Sequence, residues 1–387
     1  MHIGIVVGEA SGDILGADLI RALKQLYPAC QFSGIGGDRM IAQGFQSLYP
    51  QDRLAVMGFV EPLKRLPELL RIRTHLFNYF REEKMDAVIG IDSPDFNLAL
   101  EKKLRLQGIK TIHYVSPSVW AWRQGRVKLI KQAVDLMLTL LPFETQFYKN
   151  HQIPVEFVGH PLANQFDLKL DSQQAKQTLA LHCPELSPCF QGSGSTTVIA
   201  CLPGSRQGEV EHIGPTLWQA MNTICQQYPS AHIVVPALNQ QRYQQIQQQL
   251  KDYPNLSVTL IQGNSQQVMA AADAVVMASG TTTLEAMLLK KPMVVVYKKD
   301  TLSYAIISRL LKVDYISLPN LLANERLVPE LIQQDMTVDN IVTELSYWLD
   351  NPEAVLHLQQ QFTRLHHSIR LNASEKAAKA IEQLIQQ

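Results

Sequence analysis

The feature that most constrains this fold is an alternation of short apolar runs with amphipathic stretches. In the first half of the chain, the apolar runs predict strands at 2–8, 31–37, 86–92, 110–116, 136–142 and 155–159. Helical patterns fall between them at about 12–26, 61–83, 96–107, 124–133 and 143–150. Runs rich in Val and Ile that alternate with helices are typical of a parallel sheet covered on both faces. We therefore predict a doubly wound α/β domain in this half.

The alternation starts again after a loop at 181–197 that is rich in Gly, Ser and Pro. Strands are predicted at 198–203, 233–238, 258–262, 274–278 and 293–297, with helices at about 209–228, 240–251, 265–272, 281–290 and 301–312. From about Val338 onward the pattern is helical, without strands. Two doubly wound domains in tandem place a cleft between them, and such sheets bind ligands beyond the carboxyl ends of their strands.

Length and composition narrow the class of protein further. At roughly 150 residues per domain, 387 residues suggest two domains or a little more. Lys and Arg together number 35, as do Asp and Glu, so no overall charge attracts nucleic acid. The five cysteines are far apart and form no CxxC pair, which argues against disulfides and a zinc site. Without a signal peptide pattern or an apolar run of about 18 residues, we expect a cytoplasmic protein with membrane contact only at its surface.

The turn after the first predicted strand combines small residues with two carboxylates and a hydroxyl group. Glu9, Ser11 and Asp13 lie in this turn, at the start of a helix whose first N–H groups can bind a ligand. We expect these residues to contact a ligand, and the alternative is that Ser11 or Asp13 caps the helix. The spacing is not GxGxxG, which disfavours a nicotinamide-dependent oxidoreductase.

Two further loops of the first domain carry candidate residues. Asp92 ends the run at 86–92, where a carboxylate is well placed to accept a proton from a substrate hydroxyl group, whereas Asp95 looks more like a helix cap. Trp120, Trp122 and Arg123 belong to a loop rich in Ser and Pro. Two Trp residues so close together favour an acceptor pocket or a patch that faces a bilayer, and burial in the core is the alternative.

In the second domain, two turns have the chemistry of a diphosphate site. Arg206 follows a Gly-Ser turn, where its guanidinium group can clamp a diphosphate or simply pair with Glu209 at the surface. Ser279, Gly280 and Thr281 lead from a strand into a helix, so that hydroxyl groups, backbone amides and the helix dipole favour a phosphate. Together these turns predict a site for a nucleotide diphosphate.

Three more features are open to a functional or a structural interpretation. Glu285 is expected to bind ribose hydroxyl groups, with helix capping as the alternative, and Asn320 is expected to face the cleft. The segment 59–80 interleaves many apolar residues with Lys and Arg. It fits a basic amphipathic helix that lies on an anionic membrane or holds acyl chains, and equally a core helix with solvated Arg residues.

The motifs of the two domains, in their order and spacing from residue 1 to about 380, resemble the lipid-A-disaccharide synthase family. The run Ser-Pro-Ser-Val-Trp-Ala-Trp is highly specific, whereas the Ser-Gly-Thr signature with Glu285 is shared by many GT-B enzymes. The sequence departs from the family in a longer linker at 184–195 and in Asn164, where the family often has Asp. The motifs that carry the resemblance are Gly8–Asp13, Gly90–Asp92 with Pro94–Asn97, His113–Arg123, Leu202–Arg206, Ala278–Thr281 with Glu285, and Leu318–Leu322.

The resemblance implies a GT-B fold of two Rossmann-like domains that face a central cleft. The acceptor would bind to 1–165, the UDP-sugar to 166–345, and the helices of 346–387 would return to the first domain. The implied reaction joins UDP-2,3-diacylglucosamine to 2,3-diacylglucosamine 1-phosphate (lipid X), with inversion and without metal or cofactor. It would give a β-1,6-linked disaccharide 1-phosphate and UDP, at the inner face of the inner membrane. Its partners would be the two substrates and an anionic membrane surface, with no nucleic acid, and both a monomer and a dimer with exchanged C-terminal helices stay open.

The resemblance also suggests roles for the candidate residues. Asp92 would be the general base, with Asp13 and Glu9 as alternatives. Arg206 and the amides after Ser279 would stabilise the departing diphosphate. The other predicted contacts are Glu285 with ribose, Asn320 with phosphate or base, and Glu9, Ser11, Asp13, Trp120, Trp122 and Arg123 with the acceptor. The rival functions are a UDP-sugar 2-epimerase, a peptidoglycan glucosaminyltransferase and a nucleotide-binding protein without activity.

Overall fold

A computed structural model describes residues 1–54, 61–121, 124–186, 196–300 and 313–387. These residues group into two compact units. The first consists of 1–164 together with 369–387, and the second of 165–368. Each unit is built around its own parallel sheet.

The sheet of the first unit has seven strands in the order β3-β2-β1-β4-β5-β6-β7, and every neighbouring pair is parallel. This is a doubly wound order, which reverses direction between β1 and β4. The strands are β1 (His2–Val7), β2 (Gln31–Ile35), β3 (Gln46–Tyr49), β4 (Ala87–Ile91), β5 (Lys110–Tyr114), β6 (Leu136–Thr139) and β7 (Val155–Phe157). The helices are α1 (Ala10–Leu26), α2 (Asp38–Ile41), α3 (Glu61–Glu82), α4 (Pro94–Arg105), α5 (Val127–Ala133), α6 (Pro142–Asn150) and α7 (Pro161–Gln165).

The core of the first unit lies on both faces of this sheet. Side chains alternate along a strand, so Ile5 of β1 points into one layer and its neighbour Val6 into the other. The first layer holds buried residues of α1 and of the C-terminal segment 373–381. The second layer holds Ile72, Leu76 and Phe80 of α3. Burial on both faces explains why these strands read as continuous apolar runs.

The second unit repeats this architecture with six parallel strands in the order β10-β9-β8-β11-β12-β13. Its order reverses between β8 and β11. The strands are β8 (Thr197–Leu202), β9 (Ala231–Ala237), β10 (Val258–Gln262), β11 (Ala274–Ala278), β12 (Met293–Tyr297) and β13 (Glu330–Ile332). The helices are α8 (Ser172–His182), α9 (Gln207–Gln227), α10 (Gln240–Leu250), α11 (Ser265–Ala271), α12 (Thr282–Leu288), α13 (Leu318–Ala323), α14 (Val338–Asp350) and α15 (Pro352–Ile369). The last helix of the chain, α16 (Ala373–Ile385), packs in the first unit.

The predicted fold class, two doubly wound α/β domains, is confirmed, and every predicted strand is present within about four residues of its predicted ends. Two strands of the described residues were not predicted, β3 and β13, and both lie at sheet edges. The helix predicted at 301–312 lies outside the described residues. No described helix combines the length and apolar character needed to span a membrane.

Candidate functional site

Each sheet has a switch point where the strand order reverses, and loops from the carboxyl ends of the two flanking strands open a crevice there. In the first unit these strands are β1 and β4, and in the second they are β8 and β11. A cavity is present at both positions. The two cavities have different chemistry, and each lies within its own unit.

The cavity of the first unit has a volume of about 360 Å³ and combines charged with apolar walls. Glu9, from the end of β1, and Asp92, from the end of β4, both line it. Leu66, Leu69 and Leu70 of α3 form its apolar side, and two of them are markedly exposed. Sequence reasoning placed the carboxylates at strand ends but did not bring the leucines to the same site. The remaining lining residues are Leu54, Arg73, Ser93, Pro94, Asp95 and Phe96.

The turn that carries Asp92 has an unusual backbone. Asp92 and Ser93 follow one another with φ values of +53° and +46°, a left-handed conformation that residues other than Gly adopt rarely. The carbonyl oxygen of Asp92 accepts a hydrogen bond of 2.8 Å from Nδ2 of the buried Asn97. The backbone amide of Asp92 donates to the carbonyl oxygen of Tyr114. Such strain, held by surrounding bonds, is common at functional sites.

A buried pair of residues, His113 and Glu101, packs against Gly90 of the strand that leads into this turn. Nδ1 of His113 and Oε1 of Glu101 are 2.8 Å apart, and both side chains are inaccessible to solvent. Burial is the main cause that raises the pKa of Glu101, while His113 opposes the shift. A Cβ atom on Gly90 would lie 2.1 Å from Oε1 of Glu101 and 2.8 Å from Cβ of Asn97, so a larger residue there would displace them. This pair was not predicted from the sequence.

The three residues of the first turn have different surroundings. Burial, and then the charge of Asp92, raises the pKa of Glu9, which places the two carboxylates in one electrostatic environment. Ser11 is exposed at the start of α1. Asp13 is buried, and its carboxylate accepts hydrogen bonds of 2.9 to 3.1 Å from the amides of Gly37, Arg39 and Met40.

Asp13 therefore fixes the start of α2, and a role as base or as acceptor contact would require these bonds to break. The alternative that Asp13 is a cap is the one the geometry supports, although the helix it caps is α2 and not α1. Of the three candidates, only Glu9 lines the cavity.

Trp120 packs inside the first unit and does not line the cavity. Its Nε1 donates to Oε1 of Glu144 at 3.1 Å, and its ring meets Phe143 edge to face at 4.7 Å. Burial raises the pKa of Glu144 to about 7. The predicted acceptor contacts of Trp122 and Arg123 lie outside the described residues. Asp95 is exposed and forms an ion pair with Arg126.

The cavity of the second unit has a volume of about 320 Å³ and is lined by loops after four neighbouring strands. Its polar rim includes Ser205, Arg206, Ser279, Gly280 and Thr281, so the predicted diphosphate residues meet at one place. The carboxyl end of β9 with Leu238, and Gly263 and Ser265 after β10, complete the wall. These two segments were not predicted from the sequence, although the doubly wound strand order places the carboxyl end of β9 beside β8 and that of β10 beside β9.

Arg206 projects from a turn that Glu209 organises. Oε2 of Glu209 accepts hydrogen bonds from the amides of Ser205 at 2.9 Å and of Arg206 at 3.1 Å. Gly204 has a φ of +119°, and a Cβ atom there would lie 2.5 Å from the Glu209 side chain. The guanidinium group is 3.6 Å from Glu209 and the Arg206 side chain is 83% exposed. The surface pairing considered from sequence is thus present, and the guanidinium group stays accessible.

The Ser-Gly-Thr turn is held from behind, which leaves its outer face open. Oγ of Ser279 donates to the Ile316 carbonyl oxygen at 2.9 Å, and Oγ1 of Thr283 donates to the Gly280 carbonyl oxygen at 2.7 Å. Glu285 is half-buried, which raises its pKa, and it accepts a hydrogen bond of 3.0 Å from Gln266. It does not line the cavity.

Asn320 is fully buried, and its amide is used within the unit. Nδ2 donates to Oε1 of Glu330 and to the Val328 carbonyl oxygen, while Oδ1 accepts from the amides of Leu327 and Val328. These bonds tie α13 to the edge of the sheet. A contact with the nucleotide would have to replace them.

Comparison with known proteins adds independent information. A family model described as lipid-A-disaccharide synthetase matches residues 3–381. The chain is 51% identical over 385 residues to the lipid-A-disaccharide synthase of Cellvibrio japonicus, covering 100% of this chain and 97% of that protein. It is 52% identical over 387 residues to the protein of that name from Hahella chejuensis, covering 100% and 95%.

Solved structures with the same fold have much lower sequence identity. A UDP-GlcNAc 2-epimerase from Neisseria meningitidis bound to UDP-GlcNAc superposes with a TM-score of 0.63 at 15% identity, over 100% of both chains. A ugt transferase from Siraitia grosvenorii in complex with UDP gives a TM-score of 0.62 at 11% identity, again over 100% of both. These likenesses identify the fold as GT-B.

Proposed function

Because this chain belongs to the lipid-A-disaccharide synthase family and is a glycosyltransferase, we propose that it joins UDP-2,3-diacylglucosamine to 2,3-diacylglucosamine 1-phosphate. The products are a β-1,6-linked disaccharide 1-phosphate and UDP. The first unit binds the acceptor and the second binds the UDP-sugar. The reaction inverts the anomeric configuration and uses no metal or cofactor.

The observation that carries this proposal is the mixed chemistry of the first unit's cavity. A sugar hydroxyl group needs a carboxylate to take its proton, and Asp92 and Glu9 line one side. Acyl chains need apolar surface, and Leu66, Leu69 and Leu70 line the other side. An unacylated sugar has no apolar chain to contact these three leucines, two of which are exposed.

The proposed chemistry is a single displacement. The acceptor 6-hydroxyl oxygen attacks the anomeric carbon of the donor, and its proton passes to the carboxylate of Asp92. The bond from the anomeric carbon to the phosphate oxygen breaks, and UDP leaves with its electron pair. The strained turn holds the Asp92 carboxylate at the end of β4 before the substrate arrives.

On the donor side, the developing negative charge falls on the diphosphate. The exposed guanidinium group of Arg206 and the amides of Gly280 and Thr281 line the cavity where it binds. Such preorganised donors typically contribute several kcal/mol to catalysis. We assign ribose recognition to Glu285, which then exchanges its bond with Gln266 for the ribose hydroxyl groups. Asn320 contributes to donor binding indirectly, because its hydrogen bonds fix the loop at Leu327 and Val328.

Membrane association and oligomeric state belong to the same proposal. Leu66 and Leu70 are exposed on α3, beside the positively charged Arg71. Such a surface fits a peripheral protein at the inner face of an anionic membrane. We keep the dimer with exchanged C-terminal helices as an alternative to the monomer.

The test is UDP release by the purified protein with UDP-2,3-diacylglucosamine and 2,3-diacylglucosamine 1-phosphate, each substrate also omitted in turn. Release that requires both substrates is the expected result. Release or isomerisation with the donor alone would instead indicate hydrolysis or a 2-epimerase. Absence of release with UDP still bound would overturn the proposed acceptor and leave the donor site in place.

A further inference from the structure

One cation lines the cavity of the first unit and has no part in the chemistry described above. Arg73 is half-buried on α3, one turn beyond Leu69 and Leu70, and shares the cavity with Asp92 and Glu9. Its guanidinium carbon lies 5.9 Å from the centre of the Phe96 ring, which also lines the cavity. A guanidinium group at this distance is attracted to the face of an aromatic ring and can still donate its N–H groups to another partner.

Other arginines of the same region show what is special about Arg73. Arg53 and Arg65 both pair with Glu68, at 3.3 and 3.6 Å. Arg81 stacks on Phe77 at 5.7 Å, much as Arg73 stacks on Phe96, but it also pairs with Glu82 at 3.9 Å. Within the described ranges, no carboxylate oxygen lies within 4.0 Å of a nitrogen of Arg73.

A half-buried cation without an ion pair has unused capacity to bind an anion. Arg presents paired N–H donors that match a phosphate oxygen pair, and such charge-assisted bonds are stronger where water is partly excluded. The cavity volume of about 360 Å³ suits a sugar phosphate, with acyl chains leaving along the leucines.

We propose that Arg73 binds the anionic phosphate monoester of the acceptor and so selects a 1-phosphorylated sugar over its dephosphorylated form. This inference rests on the proposed function, because it assigns a part of that acceptor to one side chain. In this arrangement the cavity recognises three groups separately. Arg73 binds the phosphate, Asp92 faces the hydroxyl group, and the leucines contact the acyl chains.

The experiment compares two acceptors, 2,3-diacylglucosamine 1-phosphate and 2,3-diacylglucosamine, in micelles of an uncharged detergent. The micelle is uncharged because Arg71 and other exposed cations of α3 would be attracted to a charged lipid surface, which would alter acceptor binding independently of Arg73. UDP release is followed against acceptor concentration for the wild type, Arg73→Gln, Arg73→Lys and Arg81→Gln. Arg81 is the matched control, because it stacks on an aromatic ring of the same helix but does not line the cavity.

We expect Arg73→Gln to raise KM for the phosphorylated acceptor about tenfold or more, because the charge-assisted hydrogen bonds from the guanidinium group to the phosphate are lost. KM for the dephosphorylated acceptor should change less than about twofold, so the preference disappears. Arg73→Lys should keep part of the preference, and Arg81→Gln should keep all of it. Unchanged hydrogen exchange in β1 of each variant shows that the fold of the first unit is intact.

Three results would overturn the inference. Arg73→Gln could weaken both acceptors equally, which would mean that Arg73 acts on the carboxylates or on packing. Arg81→Gln could lose the preference to the same extent, which would assign the effect to the helix charge as a whole. Both results leave the proposed function intact, since the wild type still transfers. A wild type that releases no UDP with either acceptor would overturn the proposed function and this inference together.

Discussion

At the scale of single residues, the position of Asp92 is set by its own backbone. Two successive left-handed residues end β4, and strain of this kind typically costs about 1–3 kcal/mol per residue. Asn97 holds the turn through the Asp92 carbonyl oxygen, and Ser93 occupies the space above Gly8, where a Cβ atom would lie 2.1 Å from Oγ of Ser93. Folding therefore fixes the carboxylate at the switch point before any substrate binds.

Replacing this carboxylate should separate catalysis from binding. We expect Asp92→Ala to lower turnover about a hundredfold or more, because the proton acceptor is lost, while UDP affinity stays unchanged. Steady-state UDP release and direct UDP titration measure the two quantities. Asp18→Ala is the control, since that carboxylate of the first unit pairs with Arg21 and does not line the cavity. Near-normal turnover of Asp92→Ala would remove Asp92 as the base and leave Glu9 as the candidate.

At the scale of elements, strand-to-helix turns carry most of the site, and two of the turns in this fold are shaped by an acidic residue of the following helix. Glu209 does this for the turn before α9 and Glu144 for the turn before α6. Each carboxylate binds backbone amides that the helix itself leaves unsatisfied. The side chains that lead into these helices are thereby positioned, and Arg206 is one of them.

The turn before α9 leads to a prediction about donor binding. Arg206→Gln removes the accessible charge at the cavity, and we expect UDP affinity to fall about tenfold at moderate salt. Arg326→Gln is the control, because Arg326 is also an exposed arginine paired with a glutamate, Glu344 at 3.5 Å, but does not line the cavity. Calorimetric titration with UDP distinguishes the two variants. Equal affinities for Arg206→Gln and the wild type would refute the clamp.

The turn before α6 leads to a prediction about pH. Burial raises the pKa of Glu144 to about 7 in the folded protein, against a reference value of 4.5. The folded state therefore keeps a proton that the unfolded state releases, and stability falls as pH rises from about 4.5 to about 7. Between pH 5 and 7 the wild type should lose about 2 kcal/mol more than Glu144→Gln in free energy of unfolding.

Denaturant titrations of both proteins at several pH values measure this difference. Glu82→Gln is the control, because Glu82 is an exposed surface glutamate of the same unit and should leave the pH profile unchanged. Parallel profiles for the wild type and Glu144→Gln would show that Glu144 is ionised throughout the range.

At the scale of the whole molecule, sequence patterns predict what is local and periodic. Buried parallel strands are continuous apolar runs, so both sheets could be predicted, while the edge strands β3 and β13 are partly exposed and were missed. Asp92 and Arg206 could be predicted because a candidate site follows a strand. The structural roles of Asp13 and Asn320 could not be predicted, because their hydrogen-bond partners are set by tertiary packing. The position of Arg73 in the cavity could not be predicted either, because it depends on how α3 packs on the sheet.

The return of the chain to its first unit is the longest-range relationship in the fold. α16 places the fully buried Ile381 against the layer formed by β1 and α1, and Glu382 accepts a hydrogen bond of 2.9 Å from Tyr27. Ile381→Ala should therefore lower the free energy of unfolding of the first unit by about 3 kcal/mol. Hydrogen exchange should accelerate in β1 but not in β8, whereas the exposed control Gln383→Ala should change neither. Unchanged exchange in β1 would mean that the packing of Ile381 does not stabilise the first unit.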